Sequence, residues 1–134
     1  MIIMLLGLDH MQITAPLNSE TEVRHFFCDI LECKEVNKPE SMAHFDSLWF
    51  DIGTSIMHVG LDENFFPEKR GHPAFNVKSL DKLIQQFKRF HVEYELDDKM
   101  PGAKRLYTYY FFGHRMEFLE WTNKSETLKG HLEK

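Results

Sequence analysis

Along residues 8–15 polar and apolar positions alternate, with His10, Gln12 and Thr14 on one side and Met11 and Ile13 on the other, which is the pattern of a half-buried strand. Past Pro16 the period lengthens. Val23, Phe26, Phe27, Ile30 and Leu31 recur at helical spacing, and Ser19 with Glu22 reads as a capping box that opens the helix. Residues 32–37 and 48–52 predict two short strands, and the turn at Gly53 leads into a fourth over 54–60. The order is β-α-β-β-β.

The second half repeats that order. Residues 72–77 predict a strand, and Ser79 an N-cap for a helix carrying Leu80, Leu83, Ile84 and Phe87. Three further strands are expected over 92–96, 105–110 and 115–121, separated by turns at Pro101-Gly102 and Gly113. His10 recurs as His72, Gly53 as Gly113 and His58 as Glu117, each about sixty residues on. The expected fold is therefore α+β: two tandem βαβββ modules, about 7–61 and 71–121, forming curved mixed sheets around a cavity. Residues 64–71 are the expected linker, and 122–134 a polar, loosely held tail.

Composition narrows what such a fold can do. With 134 residues, 43% of them hydrophobic, the chain can bury one ordinary core and is expected to form a single domain over 1–134. A formal charge of -5 offers no basic field for phosphates, so nucleic acid is not an expected partner. The apolar opening run, Met1 to Leu6, is far shorter than the roughly 20 residues that span a bilayer and meets Asp9 and His10 almost at once. No membrane association is expected. Cys28 and Cys33 match neither a redox pair nor a zinc knuckle, and reduced thiols in a cytoplasmic protein are the reading that follows.

Strand parity singles out four side chains. His10, His58, His72 and Glu117 each lie opposite the greasy face of their strand, the face of Met11, Ile13, Met57, Val59, Phe75, Val77, Met116 and Phe118. Three imidazoles and a carboxylate make a donor set for Fe, Mn, Ni, Co or Zn, and the lack of thiolates argues for an open site rather than a closed structural one. His25, His44, His91, His114 and His131 have no counterpart in the repeat and are expected to be structural, although His114 lies in the turn beside the proposed site. Trp49, Tyr107, Tyr109 and Trp121 suit core or cavity wall. Arg105 and Arg115 are candidates for an anionic substrate group or for pairing with an acid such as Glu95, and Asn76 shares the face of His72.

These segments resemble the vicinal oxygen chelate superfamily, which includes glyoxalase I, fosfomycin-resistance transferases, bleomycin-resistance proteins and extradiol dioxygenases. The resemblance runs from Gly7 to Trp121. Its carriers are Leu8-Asp9-His10-Met11-Gln12-Ile13, the Phe26-Phe27 helix, Ile56-Met57-His58-Val59-Gly60, Gly71-His72-Pro73-Ala74-Phe75 and Phe112-Gly113-His114-Arg115-Met116-Glu117-Phe118-Leu119-Glu120. It implies that His10, His72 and Glu117 are metal ligands, and that His58 stands where glyoxalase I has a glutamate. Losing that carboxylate removes the proton-shuttling base of hemithioacetal isomerisation. Tyr110-Phe111 replace the frequent Asp-Pro before the turn, and His114 the usual Asn after its glycine.

The leading expectation is a metal-dependent enzyme of the glyoxalase type, whether lyase or isomerase, transferase or dioxygenase, acting on a small molecule. His10, His58, His72 and Glu117 would hold the ion, Glu117 would double as catalytic base, and Arg105, Tyr107 and Asn76 would contact substrate. A homodimer with sites at the subunit interface, His10 and His58 of one chain facing His72 and Glu117 of its partner, is the expected assembly. The competing expectation is a non-catalytic protein that sequesters a drug or metabolite in an aromatic groove, as in the bleomycin-resistance branch. A third is a degenerate site serving a regulatory or scaffolding role.

Overall fold

A computed structural model describes residues 3–123 of the chain. They divide into two compact units, one ending at Phe66 and the other beginning at Pro67. Module 1 runs β1 (His10–Pro16), α1 (Glu20–Arg24), β2 (Lys34–Val36), β3 (Ser47–Asp51) and β4 (Ile56–Asp62), in the sheet order β1-β4-β3-β2. Module 2 runs β5 (Ala74–Asn76), α2 (Leu80–Arg89), β6 (Glu95–Asp97), β7 (Ala103–Thr108) and β8 (Met116–Trp121), in the order β5-β8-β7-β6. The topology repeats. In each, the first and last strands pair in parallel and the rest antiparallel, so the expected pair of βαβββ modules with mixed sheets is what the chain forms.

Within module 1, Ile13 and Ala15 of β1, Leu48 and Phe50 of β3, and Met57 and Val59 of β4 are buried together with Val23, Phe26, Phe27 and Ile30 of the helical segment. Phe27 stacks on Phe50 at 4.7 Å. The opposite face of the same strands carries His10, Gln12, Thr14, Trp49 and His58. Module 2 divides its faces likewise: Phe87 of α2 packs edge-on against Phe118 of β8, which stacks on Phe75, while Arg105, Tyr107 and Glu117 lie on the other side.

Several local expectations are corrected. Ser79 caps α2 as expected, its hydroxyl accepting the Lys82 N–H. Ser19 does not complete a capping box: its hydroxyl donates to the Pro16 carbonyl at 2.6 Å and caps nothing. Beyond Arg24 the first helix widens into π turns over His25–Ile30, and Leu31 N–H reaches five residues back to the Phe26 carbonyl. That widening keeps Phe26, Phe27 and Ile30 all on the buried side. Strand β5 is only three residues long, because Pro73 has no N–H for the ladder. His72 therefore precedes the strand rather than lying in it.

The end of the linker is part of module 2. Glu68 accepts the Arg115 N–H on its carbonyl, and its own N–H donates to His114 Nδ1. At Gly113, φ is +85°, a conformation that favours glycine, and a Cβ there would crowd Pro67 at 3.3 Å. Of the expected tail, Thr122 and Asn123 donate their N–H groups to the Gly102 carbonyl; the remainder lies outside the described residues.

Candidate metal centre

Module 2 brings His72 and Glu117 together. Glu117 lies on β8 between Ala74 of β5 and Tyr107 of β7, 6% exposed, and its Oε1 meets His72 Nε2 at 3.0 Å. The other nitrogen of His72, Nδ1, lies 2.8 Å from the Arg70 carbonyl. A carbonyl can only accept, so Nδ1 carries hydrogen and Nε2 is the atom turned to the carboxylate. Two ligands held about 2.0–2.2 Å from one ion span a gap of this size, so the pair fits a divalent metal, with the Arg70 carbonyl orienting the ring.

Arg105 closes the other side of Glu117. Its guanidinium donates to Glu117 Oε2 at 3.2 Å and reaches Asp97 Oδ2 at 3.4 Å. Burial works against its charge, but Glu117, Tyr107 and Asp97 outweigh burial and raise its pKa above the usual arginine value. Asp97 is held below the ordinary carboxylate range, first by the Lys99 N–H and also by Arg105. Glu95, the acid suggested for this role by the sequence, pairs in register with Tyr107, and Asp97 pairs with Arg105. Asn76 is exposed at the end of β5.

Module 1 holds the other two candidates in a ring stack. His58 of β4 lies beside Trp49 of β3 and Gln12 of β1. It stacks on Trp49 at 3.9 Å with 4° between planes, and on His10 at 4.3 Å with 15°. Burial first, and the neighbouring His10 second, lower the His58 pKa, with Asp9 opposing. His10 Nδ1 contacts Asp9 at 2.9 Å, which leaves its Nε2 open. In-plane lone pairs of two nearly parallel rings do not converge, so His10 and His58 do not chelate one ion as they stand. Trp49, Gln12, Thr14, Gly60, Met42 and Phe45 are among the residues lining a hollow of about 460 Å³ over this face.

Among the described residues no three His, Cys, Asp or Glu side chains gather to hold an ion; the four candidates form two pairs, one in each module. A larger hollow, about 700 Å³, lies at the β6–β7 side of module 2 against His91, Tyr94 and Tyr107 and contains neither His72 nor Glu117. The remaining histidines do other work. His114 is buried and accepts from Glu68, His25 contacts Asp29, and His44 packs against Phe45; His131 lies outside the described residues. Both cysteines are free, and burial pushes the Cys33 thiol up to about 11, away from nucleophilic chemistry.

Sequence reasoning passed over Trp49 as a neighbour of His58. The signal was present, since Trp49 stands to His58 as Tyr107 does to Glu117, each opposite its partner on the adjacent strand.

No protein-family model matches the chain, and no curated protein sequence matches it. Solved structures do. A glyoxalase family protein from Bacillus anthracis is 36% identical with a TM-score of 0.84, the match covering 90% of this chain and 99% of that one. The fosfomycin resistance protein FosX from Listeria monocytogenes, complexed with Mn(II) and sulfate, shares the fold at 20% identity and TM-score 0.71, over 96% and 99% of the two chains. A glyoxalase/dioxygenase from Nostoc punctiforme shares it at 13% identity and TM-score 0.71, over 88% and 92%. No helix among the described residues is long and apolar enough to cross a membrane.

Proposed function

The chain belongs to the glyoxalase family within the vicinal oxygen chelate superfamily, and from that premise we propose that it is a metal-dependent enzyme acting on a small molecule. The observation that carries this reading is the His72–Glu117 pair, oriented from behind by the Arg70 carbonyl. We nominate His10, with its open Nε2, to complete the ligand set, and His58 as its neutral, stacked neighbour. The Mn(II) held by FosX makes manganese the first ion to try.

A divalent ion in that set would act as a Lewis acid on vicinal oxygens of the substrate. Glu117 is the proposed base: Arg105 occupies Oε2, so Oε1, which faces His72 Nε2, is the oxygen that would hold the ion and, on leaving it, take a substrate proton. Tyr107, opposite Glu117, and Asn76 at the end of β5 are the proposed substrate contacts beside it. Position 58 carries an imidazole pressed between two rings rather than a carboxylate, and hemithioacetal isomerisation is not the reaction we propose.

Calorimetric titration of the untagged protein with Mn, Fe, Co, Ni and Zn is expected to show one ion bound per chain. His72→Ala should abolish most of the uptake. If the unaltered chain takes none of the five, the metal reading fails and the second stands: a non-catalytic binding protein, favoured by the hollow walled by Trp49, Phe45 and Met42. We take the working unit to be a homodimer whose sites draw on both chains. In that case His10→Ala and Glu117→Ala chains refolded together regain metal uptake in the hybrid; confirmed hybrids that regain none exclude the shared site.

A further inference from the structure

Arg115 carries a half-buried charge in module 2. It lies one position before β8, on the face of Glu117, and its guanidinium carbon stands 4.2 Å from the centre of the Tyr107 ring. Its backbone N–H goes to Glu68, but among the described residues no carboxylate pairs with its side chain, and its Nε is buried with no hydrogen-bond partner. Arg105 approaches the same ring at 5.2 Å, and its Nε is likewise buried and unpartnered. The two arginines differ in one respect. Terminal nitrogens of Arg105 are engaged by Glu117 and Asp97, so its charge is met; that of Arg115 is met only by the π face of Tyr107.

Buried N–H groups nearly always find an acceptor, and a guanidinium set over a ring face makes no hydrogen bond to it, which leaves the donors in its own plane arranged to fork onto a carboxylate or phosphate. We infer that Arg115, laid on Tyr107, anchors an oxyanion of the substrate, and that the substrate is an acid carrying a carboxylate, phosphonate or phosphate next to the oxygens presented to Glu117. Arg105 then serves to hold Glu117 and is not the anchor. The inference deepens the reading given above, resting on a substrate placed at Glu117, but the anion site itself uses no metal ligand.

The test uses lactate and methylphosphonate as acids and propane-1,2-diol as an uncharged vicinal-oxygen control, each titrated calorimetrically into the protein with and without Mn(II). Both acids are expected to bind the metal-free chain and the diol to show no heat. Losing charge-assisted hydrogen bonds in Arg115→Gln should weaken the acids about ten- to a hundredfold. Arg115→Lys, which keeps the charge and loses the fork, should recover part of that loss and covers the case in which the Gln variant does not fold. Acids that bind no better than the diol, or bind folded Arg115→Gln as they bind the unaltered chain, overturn the inference. Acid binding that depends on Arg115 in a chain refusing every metal would uphold the anion site while sinking the metal reading. Metal uptake without acid binding would do the reverse.

Discussion

In module 1, His58 of β4 has Gln12 on one side and Trp49 on the other; in module 2, Glu117 of β8 has Ala74 and Tyr107 in the same two places. Two residues before Gln12 stands His10, and two before Ala74 stands His72. His58 and Glu117 are buried almost equally, at 8% and 6% exposure. With an imidazole at the central position, His10, His58 and Trp49 collapse into a stack. With a carboxylate there, the histidine turns its Nε2 to an oxygen, an arginine closes the other side, and the aromatic residue moves out to 6.0 Å from His72, edge-on. The backbone repeat supplies position, and one residue type decides whether the place becomes an aromatic wall or a charged cluster.

The contrast is sharpest in what each central residue costs to replace. Glu117→Gln leaves the half-buried Arg105 guanidinium and His72 without their shared negative charge, and should destabilise the chain by about 3 kcal/mol in urea unfolding, besides abolishing metal uptake. His58→Gln loses only ring contacts, worth about 1 kcal/mol. Equal losses in the two variants would mean that the Glu117 cluster is solvated in solution and that the modules differ less than their geometry says.

The repeat was the most legible part of this chain, because strand parity and equal spacing survive whatever the side chains do. It located both four-stranded sheets and set all four candidate residues off the greasy face. Helix α2 was legible from Ser79 onward, since a cap acts within one turn. The first helix was not: Ser19 and Glu22 have capping-box spacing, yet Pro16 offers the Ser19 hydroxyl a nearer acceptor, and the π turns depend on packing Phe26, Phe27 and Ile30 together, which no window of sequence shows. The Arg105 partner was misjudged by two residues because register across β6 and β7 is a tertiary fact. Likewise the stack of His10 on His58 follows from two strands lying side by side.

A smaller effect separates the modules by pH. The His58 pKa is lowered from its ordinary 6.5, so as pH falls below that value the unfolded chain takes up a proton more readily than the folded one. Stability therefore declines toward acid. The melting temperature of His58→Gln should fall less between pH 7.5 and 5.5 than that of the unaltered chain. Parallel curves for His58→Gln and the unaltered chain would show that the stack leaves His58 free to protonate.

The smallest expected effect concerns the two serines that open the helices. Ser79 accepts the Lys82 N–H, so Ser79→Ala should cost about 1 kcal/mol, the usual worth of an N-cap, and Ser79→Asp should restore it, because a carboxylate is also an acceptor and favours the helix N-terminus. Ser19 is a donor instead, to the Pro16 carbonyl. An Asp there has no hydrogen to give and would set a negative oxygen against a carbonyl in a place only 5% exposed. Ser19→Asp should therefore be less stable than Ser19→Ala, the reverse of the order at Ser79. If urea unfolding ranks Asp above Ala at both positions, Ser19 caps its helix in solution after all, and this difference between the modules disappears.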